Sequence, residues 1–128
     1  MKHLSPFSDF ELVIESRKYE HINFIPPKTV SNQCKKGLKY RRKYKSSKGE
    51  KSVSMAKKLM KRDKLQPYQV KQMATYFSRH RERELLDKYK EEPWKDRRYV
   101  TYLLWGGESG RAWAERVRTQ IVKADKKK

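Results

Sequence analysis

The sequence has one cysteine, Cys34, and only five glycines and five prolines among 128 residues. A single cysteine excludes an internal disulfide and fits a reducing compartment. The three histidines and that cysteine are too scattered along the sequence to read as a tetrahedral zinc set. No apolar run approaches the roughly 20 residues that span a bilayer. The stretch MKHLSPFSDFELVIES lacks the apolar core of a secretory signal and soon turns acidic. Acidic side chains are also scarce. Asp and Glu number 15 against 34 Lys and Arg, for a net charge of +19.

What is present is enough for one folded domain. Hydrophobic residues make up 35% and aromatic residues 12%, too many for a wholly disordered chain. The charge is unevenly placed. Residues 1–27 carry net −1, residues 28–64 net +13, residues 65–92 net +1 and residues 93–128 net +6. Gathered cations repel one another, so a concentrated excess points to an anionic partner rather than to a solvated surface.

Hydrophobic spacing sets the expected fold. Phe10, Leu12 and Ile14, then Ile22 and Phe24, alternate as strands or an extended arm do. Pro26 and Pro27 end that segment. Beyond them a helical period takes over. The spacing predicts helices over 29–44 (Thr29 as N-cap, with Val30, Cys34 or Gln33, Leu38, and Tyr40 or Arg41 at helical spacing), from Ser52 as N-cap (Val53, Ala56, Leu59 and Met60 inward), and from Pro67 onward (Val70, Met73, Ala74, Phe77). The third is expected to run on through RHRERELLDKY, with Glu84 and Lys88 paired at i, i+4, until Pro93. Two more are expected at 97–105 and 108–124, with KYKSSKGEKS as a loop. Gly37 weakens the first helix by about 1 kcal/mol relative to Ala. The expectation is an all-α fold, a compact bundle of four or five short helices. It comprises an extended arm at 1–27, a basic helical domain at 28–125 and a frayed tail at 126–128.

The stretch LLWGGESGRAWAERV, residues 103–117, concentrates glycine and tryptophan. Glycine at a helix end accepts the left-handed conformation, so Gly106 and Gly107 predict a tight helix corner with Trp105 and Trp113 packed beside it. An anion site at the next helix start is disfavoured by Glu108, and the absence of a following Lys-Ser/Thr breaks the P-loop pattern. His80 and Glu84 stand at i, i+4 without a further ligand, and no carboxylate pair has a spacing that demands acid–base chemistry. A site formed by Arg79, His80 and the Trp105–Trp113 corner, with His80 meeting Glu108, is the residual catalytic alternative. No enzyme activity, cofactor or metal is called for.

The basic clusters CKKGLKYRRKYK and AKKLMKRDK carry the functional expectation. Lys35, Lys36, Lys39, Arg41, Arg42 and Lys43, with Lys57, Lys58, Lys61 and Arg62, are the candidate phosphate contacts. Tyr40 and Tyr44 are candidates to stack on unpaired bases. Residues 53–62 and 67–80 can also be drawn as a helix–turn–helix that exposes Tyr68, Gln69, Lys71, Gln72, Thr75 and Arg79, although its turn lacks glycine.

Taken together, PPKTVSNQCKKGLKYRRKY, SVSMAKKLMKRDKLQPYQVKQMATYFSRHRERE and YLLWGGESGRAWAERV resemble a small basic helical domain of tailed-bacteriophage proteins. The resemblance covers residues 27–117. It rests on Val70, Met73, Tyr76, Phe77, Arg79, His80, Trp105, Gly106, Gly107, Glu108, Gly110, Trp113 and Ala114. It departs where KYKSSKGEK replaces a glycine-rich loop. The resemblance implies a phage setting, in host cytoplasm or virion, and no particular activity. The expected function is a DNA-binding (or RNA-binding) protein that neutralises backbone phosphates. The alternatives are a head-associated virion protein that docks on phage structural proteins through residues 1–25, and a modulator of host transcription or translation.

Overall fold

Pro27 has no N–H to satisfy and sits extended at φ −68° and ψ 163°, so the chain leaves it directly into helix α1, Lys28–Lys43. The Pro27 carbonyl accepts the N–H groups of Val30 and Ser31 at 3.0 and 3.2 Å. Thr29 was expected as the N-cap. It lies instead inside the first turn, because the proline carbonyl already opens the helix. The structure, a computed structural model, describes residues 18–44, 49–80 and 85–126. Four helices follow: α2 (Glu50–Met60), α3 (Pro67–Arg79), α4 (Arg97–Leu104) and α5 (Gly107–Lys126). Short 3₁₀ turns at Asp87–Tyr89 and Pro93–Lys95 join α3 to α4. The described residues form no strand, and the fold is all-α as the period implied.

Helix α1 is the centre. Helices α2, α4 and α5 all rest on it, and α3 rests on α5. Val30, Ser31, Cys34 and Gly37 form its buried face. At Gly37 a Cβ would stand 2.9 Å from the Leu104 N and 3.0 Å from the Leu103 Cβ. Glycine therefore costs α1 some propensity but admits the backbone of α4. The Cys34 thiol donates to the Leu104 carbonyl at 3.4 Å, and burial pushes its pKa up to about 12. The Ser31 hydroxyl donates to the Met60 carbonyl at 2.7 Å, which ties α1 to the end of α2.

Helix α2 begins two residues before Ser52. Gly49 supplies a left-handed entry at φ 87°. Ser52 is thus no N-cap. Its hydroxyl accepts the Trp105 Nε1–H at 3.0 Å. The buried residues are Met55, Ala56 and Leu59, so the apolar stripe is turned from the expected one, and Val53 and Met60 are left half-buried. Helix α3 keeps its expected stripe of Val70, Met73, Ala74 and Phe77. Gln66 and Gln69 cap its start reciprocally, with the Gln66 N–H donating to the Gln69 Oε1 at 2.8 Å. That reciprocal cap buries Gln69, which the helix–turn–helix drawing had exposed. The two helices of that drawing also go to different partners, α2 to α1 and α4, α3 to α5.

The expected continuation of α3 toward Pro93 does not occur. His80 leaves the helical region at φ −130° and ψ 63°. One turn beyond Phe77 the sequence places the polar His80 and Arg81 where the stripe would continue. Glu84, in the expected pair with Lys88, lies outside the described residues. Asp96 organises the return: its carboxylate accepts from the N–H groups of Leu86 and, as the α4 N-cap, Tyr99. Pro93 starts a 3₁₀ turn rather than stopping a helix.

Phe10, Leu12 and Ile14 of the expected arm also lie outside the described residues. Ile22 and Phe24 are buried in the same core as α1 and α5. The Phe24 carbonyl accepts from the Leu65 N–H at 3.0 Å. At the other end of the chain, Asp125 on α5 accepts from the Tyr19 hydroxyl at 2.5 Å and the Lys18 ammonium at 3.3 Å. Residues 18–27 therefore pack on the helical body, and a boundary at 27 cuts through a packed unit. Lys126 closes α5 rather than fraying.

Candidate nucleic-acid interface

The charge concentrated between residues 28 and 64 is borne largely by α1 and α2, and their packing decides which cations meet. The Ser31–Met60 bond and the α1–α2 contact align the outer faces of the two helices. Between them runs a groove of about 690 Å³. Lys35, Lys39, Arg41 and Arg42 line it from α1, Lys57 from α2 and Lys61 from the C-cap of α2. Leu38, Val53 and Met60 form its floor. No carboxylate of a described residue lines it. Two unit charges 4 Å apart in water repel by about 1 kcal/mol, so a groove of six cations is a standing electrostatic cost that an anion relieves.

The other four candidate cations are placed elsewhere. Lys36 and Lys43 leave the groove for an aromatic group on the far side of α1. The Lys43 ammonium sits 4.3 Å from the Trp94 ring centroid, and Lys36 lies 6.0 Å from both Tyr40 and Tyr99. Lys58 is half-buried outside the groove. Arg62 adopts φ 58° where α2 ends, and its Nε donates to the Pro26 carbonyl at 2.8 Å. Tyr40, expected to offer a face to bases, is half-buried and packed against Trp94 and Tyr99 at 6.3 and 6.4 Å between centroids. Tyr44 is half exposed.

The Trp-Gly-Gly stretch folds as the expected corner. Gly106 and Gly107 take φ 112° and 60°, and a Cβ on Gly106 would stand 2.8 Å from the Gly110 Cα. The corner also builds a feature the spacing did not reveal. Trp105 stacks on Tyr76 at 4.9 Å and 10°, and Tyr76 stacks on His80 at 4.5 Å and 28°. Only Tyr76 and His80 at i, i+4 were visible as neighbours in sequence. Trp105 arrives from the end of α4, the next α-helix along the chain.

Glu108, in the first turn of α5, accepts from the Tyr102 hydroxyl at 2.7 Å and pairs with Arg111. Arg111, then Tyr102, holds its carboxyl below the usual range. Burial, aided by Glu108, pushes Tyr102 up to about 12. Both Glu108 oxygens are engaged inside the corner, and His80 stacks on Tyr76 rather than meeting that carboxylate. Among the described residues no three His, Cys, Asp or Glu side chains gather as metal ligands, and no helix is long and apolar enough to cross a membrane.

Compared with protein-family models, curated proteins and solved structures, the chain finds no match.

Proposed function

We propose that this chain binds nucleic acid, DNA foremost, by laying a phosphate backbone along the α1–α2 groove. The observation that carries the reading is the convergence of Lys35, Lys39, Arg41, Arg42, Lys57 and Lys61 on one concave face that no carboxylate of a described residue lines. Each phosphate neutralised there releases condensed counterions. The phage setting, in host cytoplasm or virion, is part of this proposal and is supported by the sequence resemblance alone.

Fluorescence anisotropy with duplex DNA, single-stranded DNA and RNA across a salt series tests it. If all six groove cations engage phosphates, the slope of log affinity on log salt is about −5 on duplex DNA. Reversing Lys39, Lys57 and Lys61 to Glu removes duplex binding and leaves the thermal midpoint within a few degrees. Unchanged affinity in that variant defeats the proposal.

The floor of Leu38, Val53 and Met60 supports a second reading, in which an acidic, amphipathic segment of a phage or host protein occupies the groove. Met60→Lys separates the two. It preserves or strengthens phosphate binding and abolishes docking of an apolar side chain.

A further inference from the structure

A second basic concavity lies on α3, away from the groove. We infer that it is a stacking cleft for single-stranded nucleic acid, which rests on the proposed nucleic-acid reading and narrows its substrate class. The cleft has a volume of about 350 Å³, in the range that holds a small organic ligand. Lys51, Lys71 and Arg79 supply its cations, Gln72 supplies an amide, and Tyr68 stands on its rim 60% exposed. Its inner wall is the stacked set Trp105, Tyr76 and His80. Beyond Tyr76 and His80 the surface continues into a smaller hollow of about 260 Å³ lined by Arg97 and Arg98.

Cations and rings alternating along one face suit a chain whose phosphates and bases are both accessible. A duplex presents its phosphates but keeps its base faces stacked inside, so it cannot use Tyr68. Helix α3 is also poorly placed to read a duplex. Its inner face is pressed on α5, Gln69 is turned inward, and α2 does not support it from behind. An unpaired base on the Tyr68 ring, with flanking phosphates on Lys71 and Arg79 and Gln72 reaching a base edge, uses the exposed ring, two of the three cations and the amide of the cleft.

The test compares a labelled single strand with the duplex of the same sequence, using the full chain with Tyr68→Ala, Tyr68→Phe and the groove variant Lys39/Lys57/Lys61→Glu. Stacking on one ring is worth about 1–3 kcal/mol, so Tyr68→Ala weakens the single strand roughly 5- to 150-fold. Tyr68→Phe retains affinity, and duplex binding does not change in either variant. Tyr68 is exposed, so its loss leaves the core intact. Unchanged single-strand affinity in Tyr68→Ala, or an equal loss for both nucleic acids, overturns the cleft while the groove reading stands on its own variant. Wild-type protein that binds neither nucleic acid at low salt overturns both.

Discussion

Gly37 sets two effects against each other. Alanine there raises helix propensity by about 1 kcal/mol. It also drives a methyl to 2.9 Å from the Leu104 backbone, where no flexible side chain can yield. Overpacking of this kind costs about 1–3 kcal/mol, so Gly37→Ala is expected to lower stability in urea titration despite the better helix former. An unchanged or higher midpoint means that α4 can slide off α1. Composition could weigh only the propensity, because the close crossing is created by Leu103 and Leu104, more than sixty residues away. Cys34, with Gln33 as the alternative, was legible as an inward residue of α1. Its inertness was not, since the neighbouring lysines, whose charge favours a thiolate, turn outward while the thiol meets the Leu104 carbonyl. With its pKa pushed up to about 12, Cys34 should resist thiol-specific reagents at pH 8 until the chain is unfolded. Rapid labelling of the native protein contradicts that placement.

Among the elements, those whose apolar stripe continues to their ends were legible, and those fixed from outside were not. Val70, Met73, Ala74 and Phe77 gave α3 its face, but neither its end at His80 nor the hold of Asp96 on Leu86 is written in that stripe. Trp105 was read as half of a corner. Its indole N–H reaches across to Ser52, a bond between residues 53 apart that no local pattern announces. Ser52→Ala leaves that N–H without its partner and is expected to cost about 1–2 kcal/mol, seen as a lower thermal midpoint. The groove was half legible: the clusters named the right two helices, while helix rotation chose six of ten cations and set aside Lys36, Lys43, Lys58 and Arg62. The segment before Pro26 carries a practical consequence for any docking experiment. Removing residues 1–25 deletes Ile22 and Phe24 from the core, whereas removing 1–17 spares them. The longer deletion should therefore be at least about 3 kcal/mol less stable than the shorter one, from the loss of the buried Phe24 ring alone. Equal urea midpoints refute that packing.

For the whole molecule, titration confines stability from both sides. Glu108 and Asp125 have folded pKa values held below the ordinary carboxylate range, by Arg111 with Tyr102 and by Tyr19 with Lys18. Their contribution is complete above that ordinary range and is lost as pH falls through the depressed folded values. Cys34 and Tyr102 run the other way. Their folded values near 12 lie above the ordinary 9.0 and 10.0, so their contribution is full below pH 9 and declines between there and 12. Urea midpoints should form a plateau from about pH 5 to 9, and Cys34→Ala should move the alkaline onset up toward 10. An onset that stays at 9 in that variant removes the thiol as the cause.

The clasp of Tyr19 on Asp125 has its own implication for how the molecule comes into being. Synthesis is vectorial, and the earliest described residues find their partner only when the last helix has been made. Helix α1, complete by residue 43, cannot bury Val30 or Cys34 fully until α4 and α5 arrive to cover them. A nascent chain carrying the +13 of residues 28–64 therefore leaves the ribosome without its core, beside a machine whose walls are themselves polyanionic.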